Sequence, residues 1–154
     1  MLSAKILFAT CAISVAAWAA DPFVGAWKLN PEKTKSTRQN PGVNGATTLF
    51  VKATSDGYEL SSAVNVPGNP WHLDGQDRKI EPRGSSFGGA VGADHASTRR
   101  INSATIEATG KRESKVVGTI RYEVSPDGRT MTGTFDGTTP DGEKFHTVAV
   151  YEKQ

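Results

Sequence analysis

Asp21-Pro22-Phe23-Val24-Gly25-Ala26-Trp27-Lys28-Leu29-Asn30 is the stretch on which the fold turns. It is the only early run that joins a glycine, where a second backbone can come close, to a tryptophan large enough to plug the end of a small barrel. It reads as a first β-strand, and the rest of the chain reads as a sheet built to close onto it.

On its N-terminal side, Lys5 is followed by an apolar run from Ile6 to Ala17 and by Ala17-Trp18-Ala19, the small-x-small pattern of a secretory cleavage site. Residues 1–19 are therefore expected to be a signal peptide, and residues 20–154 a single β-barrel domain exported to the periplasm or the extracellular space. The apolar run is shorter than the roughly 20 residues that span a bilayer, so no transmembrane segment is expected. Cys11 is the only cysteine, and Phe8 stands where a bacterial lipobox places a branched aliphatic residue. Its removal with the leader leaves stability to the core rather than to disulfides.

The leader also takes Lys5, one of 18 basic residues, which leaves 17 against 16 acidic ones and a net charge of +1. Such a surface offers no electrostatic reason to expect nucleic acid or an anionic membrane as partner, and a monomer is expected. The pairs Arg99-Arg100 and Lys111-Arg112 read as solvated strand edges.

Working outward toward the C-terminus, the commonest punctuation is Asp-Gly, at 56–57, 74–75, 127–128, 136–137 and 141–142. Both residues tolerate the positive φ of tight hairpin turns, so Asp-Gly between alternating apolar runs marks an up-and-down antiparallel sheet. A calcium loop would need Asp-x-Asp-x-Asp-Gly with a closing Glu, which is absent. Strands are expected at 23–30, 46–54, 58–66, 96–102, 104–111, 115–124, 130–135 and 144–152, with weaker ones at 70–73 and 76–81. The fold class is thus all-β, an antiparallel up-and-down barrel of eight to ten strands. Period-two alternation puts Tyr58 and Leu60, then Val116, Gly118, Ile120, Tyr122 and Val124, then Phe145, Thr147, Ala149 and Tyr151 on inward faces. Pro31-Glu32-Lys33-Thr34-Lys35 reads as one helical turn capped by Asn30. Residues 36–45 and 82–95 read as long irregular loops.

Phe23-x-Gly25-x-Trp27-Lys28-Leu29 resembles the Gly-x-Trp opening strand of lipocalins and fatty-acid-binding proteins, the calycin barrels, and Val150-Tyr151-Glu152-Lys153 resembles the end of the latter. The chain also resembles small exported bacterial proteins that begin Asp-Pro-Phe-x-Gly-x-Trp-Lys-Leu-Asn-Pro and end Val-Ala-Val-Tyr-Glu-Lys, a likeness that supplies no mechanism. The calycin resemblance implies a lipocalin-like barrel with Gly25 and Trp27 as its structural signature and a cation stacked over Trp27, for which Arg121 is the candidate. It also shows a departure. Fatty-acid-binding proteins carry an Arg two positions before the terminal Tyr, and here that position is Ala149; the lipocalin Thr-Asp-Tyr motif is absent too.

Catalytic patterns are thin. Gly84-Ser85-Ser86-Phe87-Gly88 fits Gly-x-Ser-x-Gly, but that elbow works on a strand-to-helix turn of an α/β sheet, which neither flank supplies. His72, His95 and His146 share no ligand spacing, so no metal site, cofactor or enzymatic activity is expected. The expected function is binding of a small apolar ligand inside the barrel, against Phe50, Tyr58, Leu60, Ile120, Tyr122, Phe135, Phe145 and Tyr151. With no cation at Ala149, the ligand is expected to be uncharged, oriented by the hydroxyl of Tyr122 or Tyr151, and admitted past the loops at 36–45 and 82–95. The alternative is a structural or protein-interaction barrel filled by its own side chains.

Overall fold

The computed structural model describes residues 21–37, 48–62, 71–80 and 86–154; the expected leader, most of the expected loop at 36–45, residues 63–66 of the expected strand 58–66 and the start of the expected loop at 82–95 lie outside them. The described residues form ten strands and one short helix: β1 Gly25–Ser36, β2 Thr48–Ala53, β3 Tyr58–Ser62, β4 Trp71–Leu73, β5 Arg78–Lys79, α1 Ser86–Val91, β6 His95–Asn102, β7 Thr105–Arg112, β8 Lys115–Val124, β9 Thr130–Thr138 and β10 Lys144–Lys153. All ten strands belong to one antiparallel, curled sheet in the order β4-β3-β2-β1-β10-β9-β8-β7-β6-β5. The first strand lies beside the last, with Trp27 opposite Lys153 and Leu29 opposite Tyr151. The two weak strands of the sequence are therefore β4 and β5, the outermost pair.

Hairpin chemistry accounts for three of the five Asp-Gly pairs, at 56–57, 127–128 and 141–142, which join β2 to β3, β8 to β9 and β9 to β10. Gly128 and Gly142 take φ of 69° and 87°, the left-handed region these turns require. Asp74-Gly75 follows β4 without closing a hairpin, because β4 and β5 do not pair. Asp136-Gly137 lies inside β9, where the glycine serves packing: a Cβ on Gly137 would stand 2.6 Å from Phe145 Cζ and 2.7 Å from Val91 Cγ1.

Two local expectations change. Residues 31–35 stay in β1 rather than forming a helical turn, although Asn30 does act as a cap, its Oδ1 accepting the amides of Glu32 and Lys33 at 3.1 Å each. The ladder absorbs this turn-like kink as a register shift against β10 between Asn30 and Lys35. The segment 82–95 is not wholly irregular, since α1 occupies Ser86–Val91 and ends on Gly92 at φ 62°. Fully buried Val91 is the side chain that meets the space left by Gly137.

The inward residues form one apolar cluster, in which Trp27, Tyr151, Phe23, Phe135, Met131 and Val91 are the largest fully buried apolar side chains. Alternation is strict in β9 and β10, where buried and partly exposed residues take turns along most of each strand. Val116, expected inward, is 62% exposed because it sits at the frayed start of β8 beside a register shift.

Candidate functional site

Seven of the eight residues expected to line the interior do face it: Tyr58, Leu60, Ile120, Tyr122, Phe135, Phe145 and Tyr151 are all buried. Phe50 is the exception, at 48% exposure. In β2 the buried residues are Leu49 and Val51, opposite Trp27 and Gly25, so Phe50 falls on the outer face opposite Ala26. The run Leu49-Phe50-Val51 is apolar at three successive positions and hides its own phase, which only pairing with β1 fixes.

Cross-strand register stacks the wall in rows. Ile120, Phe135 and Thr147 align across β8, β9 and β10, and Tyr122, Gly133 and Ala149 form the next row. Phe135 and Phe145 meet edge to face, with centroids 4.9 Å apart and planes at 87°. A Cβ on Gly133 would lie 3.0 Å from Tyr122 Cε1 and 3.8 Å from Tyr151 Cε2, so the missing side chain makes room for both rings.

Burial pushes the Tyr122 hydroxyl up to about 12 and raises that of Tyr151 further, with the Tyr122 neighbour adding to the effect. Both phenols are therefore neutral donors at physiological pH. Burial alone accounts for the Tyr122 shift, and no hydrogen bond contributes to either. The remaining buried polar residues are Thr98, Thr105, Thr139 and Thr147, and no Lys or Arg is buried among the described residues; the Asp74 side chain is nearly covered against Arg78.

One end of the interior is plugged by the opening stretch. Trp27 is fully buried, and its Nε1 donates to the Phe23 carbonyl at 2.8 Å. The cation over its ring is Lys153, whose Nζ is 5.0 Å from the centroid, not Arg121. Arg121 lies on the outer face of β8, opposite Glu107 and Thr134, and its Nε donates to Glu123 at 3.2 Å. Gly25, at φ 137°, lets the Lys153 stem pass: a Cβ there would stand 3.1 Å from Lys153 Cε.

A polar cluster flanks this plug, and sequence reasoning missed it. Arg100, expected at a solvated edge, pairs with Ile106 and so takes the inward parity of β6. Its guanidinium lies 5.9 Å from the Phe23 centroid and 5.4 Å from that of Tyr58. Arg100 donates to the Tyr58 hydroxyl and, at 3.1 Å, to Asp21 Oδ2; Tyr58 in turn donates to Asp21. The Asn102 and Ser103 carbonyls accept its other N–H groups at 3.1 and 2.8 Å. Burial would raise the Asp21 carboxyl, but hydrogen bonds from Tyr58, the Phe23 amide and Arg100 hold it below the usual carboxylate range. Burial, with the hydrogen bond to Asp21, pushes the Tyr58 hydroxyl up to about 12. The signal in the sequence was parity: Ala96, Thr98 and Arg100 continue one face of β6.

This cluster stands at a cleft of about 460 Å³ whose lining includes Tyr58, Leu73, Thr98, Arg100 and Ile106. Elsewhere the histidines lie outside. His95 Nδ1 is 3.2 Å from Asp94 and His146 Nδ1 2.7 Å from Asp136, all on the surface, and His72 is exposed. Among the described residues no three His, Cys, Asp or Glu side chains converge, and no helix is long and apolar enough to cross a membrane. Of the Gly-x-Ser-x-Gly match, Gly84 and Ser85 lie outside the described residues, and Ser86 opens α1.

No protein-family model matches the chain, and no curated protein matches it in sequence. Solved structures do share its architecture. The crystal structure of zebrafish ileal bile acid-binding protein complexed with cholic acid superposes with a TM-score of 0.51 at 12% identity, over 86% of this chain and 99% of that one. As-p18, an extracellular fatty acid binding protein, gives 0.51 at 16% identity, over 87% and 97%. At these identities the likeness is one of fold alone: an all-β, antiparallel, ten-stranded curled sheet.

Proposed function

We propose that the protein is a non-enzymatic carrier that holds a small, uncharged, largely apolar molecule inside the barrel. The observation that carries this reading is the pair of neighbouring tyrosines, Tyr122 and Tyr151, buried among apolar side chains with Gly133 making room for both rings. A ligand oxygen within reach would pair with both hydroxyls, as buried polar groups favour. The surrounding wall of Leu60, Ile120, Phe135 and Phe145 gains about 25 cal/mol for each Å² of apolar ligand surface removed from water. A carboxylate would enter this site without a buried cation among the described residues, which is unfavourable. The solved structures of similar fold, one of a fatty-acid-binding and one of a bile-acid-binding protein, support the binding class.

The same reading takes residues 1–19 as a cleaved leader and 20–154 as one exported, monomeric domain. Displacement of an environment-sensitive apolar dye by fatty acids and by their methyl esters tests the ligand class. Esters competing at least as well as acids is the expected result. Acids competing far better would mean a cation serves the site, and absence of saturable dye binding would favour a barrel filled by its own side chains.

A further inference from the structure

Among the described residues the sheet ladder runs unbroken from β4 round to β5, but nothing pairs β4 with β5 or with the outer edge of β6 beyond Ala96. That seam is where the barrel wall lacks backbone hydrogen bonds. Side chains close it instead. The Gly75 amide donates to Thr98 Oγ1 at 3.2 Å, and Arg100 reaches from β6 to Tyr58 on β3 and to Asp21 ahead of β1. The cleft of about 460 Å³ lies in this seam. In its lining Tyr58, Leu73 and Ile106 belong to the apolar cluster of the interior, Asp56 and Arg99 are exposed, and the Asp74 side chain is nearly covered against Arg78.

We propose that the seam between β4 and β6 is a side passage to the barrel interior and that Arg100 is its latch. The proposal rests on the interior-binding reading above. Any other opening in the sheet would break a ladder of backbone hydrogen bonds, each costly to leave unmade. Parting the seam breaks the bond to Thr98 and the Arg100 cluster, whose charged members, Arg100 and Asp21, are already partly exposed to water. The apolar side chains of the lining belong to the same buried cluster as Leu60. Arg100 suits the latch because one planar guanidinium engages Asp21, Tyr58 and two carbonyls at once, which fixes the gap between strands that share no ladder.

Stopped-flow binding of Nile red, an uncharged apolar dye, tests this on the mature chain. Arg100→Gln is expected to raise the association and dissociation rates together by about tenfold, the change that 1.4 kcal/mol of opening free energy gives, with the equilibrium affinity within about twofold. A second variant works in the opposite direction. Gly75→Cys with Thr98→Cys places two thiols across the seam, in a chain whose only native cysteine, Cys11, lies in the expected leader. Its oxidised form should bind at least about tenfold more slowly than its reduced form. Equal rates in both forms, or Arg100→Gln rates equal to those of the unaltered protein, would overturn the passage while leaving interior binding intact. Failure of the unaltered protein to bind Nile red saturably would overturn both.

Discussion

Lys153 Nζ sits 5.0 Å from the centroid of the Trp27 ring and donates to the Pro22 carbonyl at 3.1 Å. One terminal side chain thus ties the last strand to the plug and to the segment that leads into it. Trp27 carries most of the burial, so Trp27→Ala should cost about 3–5 kcal/mol, as buried aromatic truncations do. Lys153→Ala should cost about 1 kcal/mol or less, the range of an exposed cation–π contact. Thermal melts separate the two: a fall of only a degree or two for Trp27→Ala would contradict the plug.

Gly137 is a packing glycine rather than a turn glycine. A methyl group there must displace Phe145 and Val91, both of them buried. Gly137→Ala is expected to destabilise by about 1–3 kcal/mol, the usual cost of overpacking. Urea unfolding reads it directly, and a neutral result would mean that α1 moves aside freely.

Phe50→Ser should change stability by no more than about 0.5 kcal/mol, as surface substitutions do, and should leave dye affinity unchanged. Leu60→Ala, on the inward face of the next strand, should cost about 2–5 kcal/mol. Comparable losses for both would restore Phe50 to the interior.

Alkaline pH should unfold the protein through its buried phenols. Tyr122 has its pKa raised from the ordinary 10 to about 12, so the fold favours its neutral form. That contribution is fully present below pH 10 and is lost as pH rises from 10 to 12; it amounts to on the order of 3 kcal/mol. Tyr151 shifts in the same direction. Urea midpoints measured between pH 9 and 12 should fall steeply for the unaltered protein and less steeply for Tyr122→Phe. Parallel slopes would mean that Tyr122 is solvated.

Strand positions were legible because period-two alternation and Asp-Gly turns are local signals, and β8 and β10 carry both cleanly. What sequence could not fix was set by contacts between distant segments. The phase of Leu49-Phe50-Val51 depends on pairing with β1. The partner of Trp27 depends on where a cation lands after closure, and the C-terminal Lys153 lies directly opposite it, whereas Arg121 takes the outer face. Arg100 read as a charged edge because its role needs Asp21 and Tyr58, 79 and 42 residues away. The roles of Gly133 and Gly137 could not be read from composition at all, since only the neighbouring rings show what a Cβ would strike.

Calorimetric titration of residues 20–154 with a long-chain methyl ester, alongside a Tyr122→Phe, Tyr151→Phe double variant, decides whether the two phenols hold a ligand. One molecule bound per chain with a negative heat-capacity change, and affinity about tenfold or more weaker in the double variant, is the expected result. No saturable heat in the unaltered protein, or equal affinity in the two proteins, would contradict it.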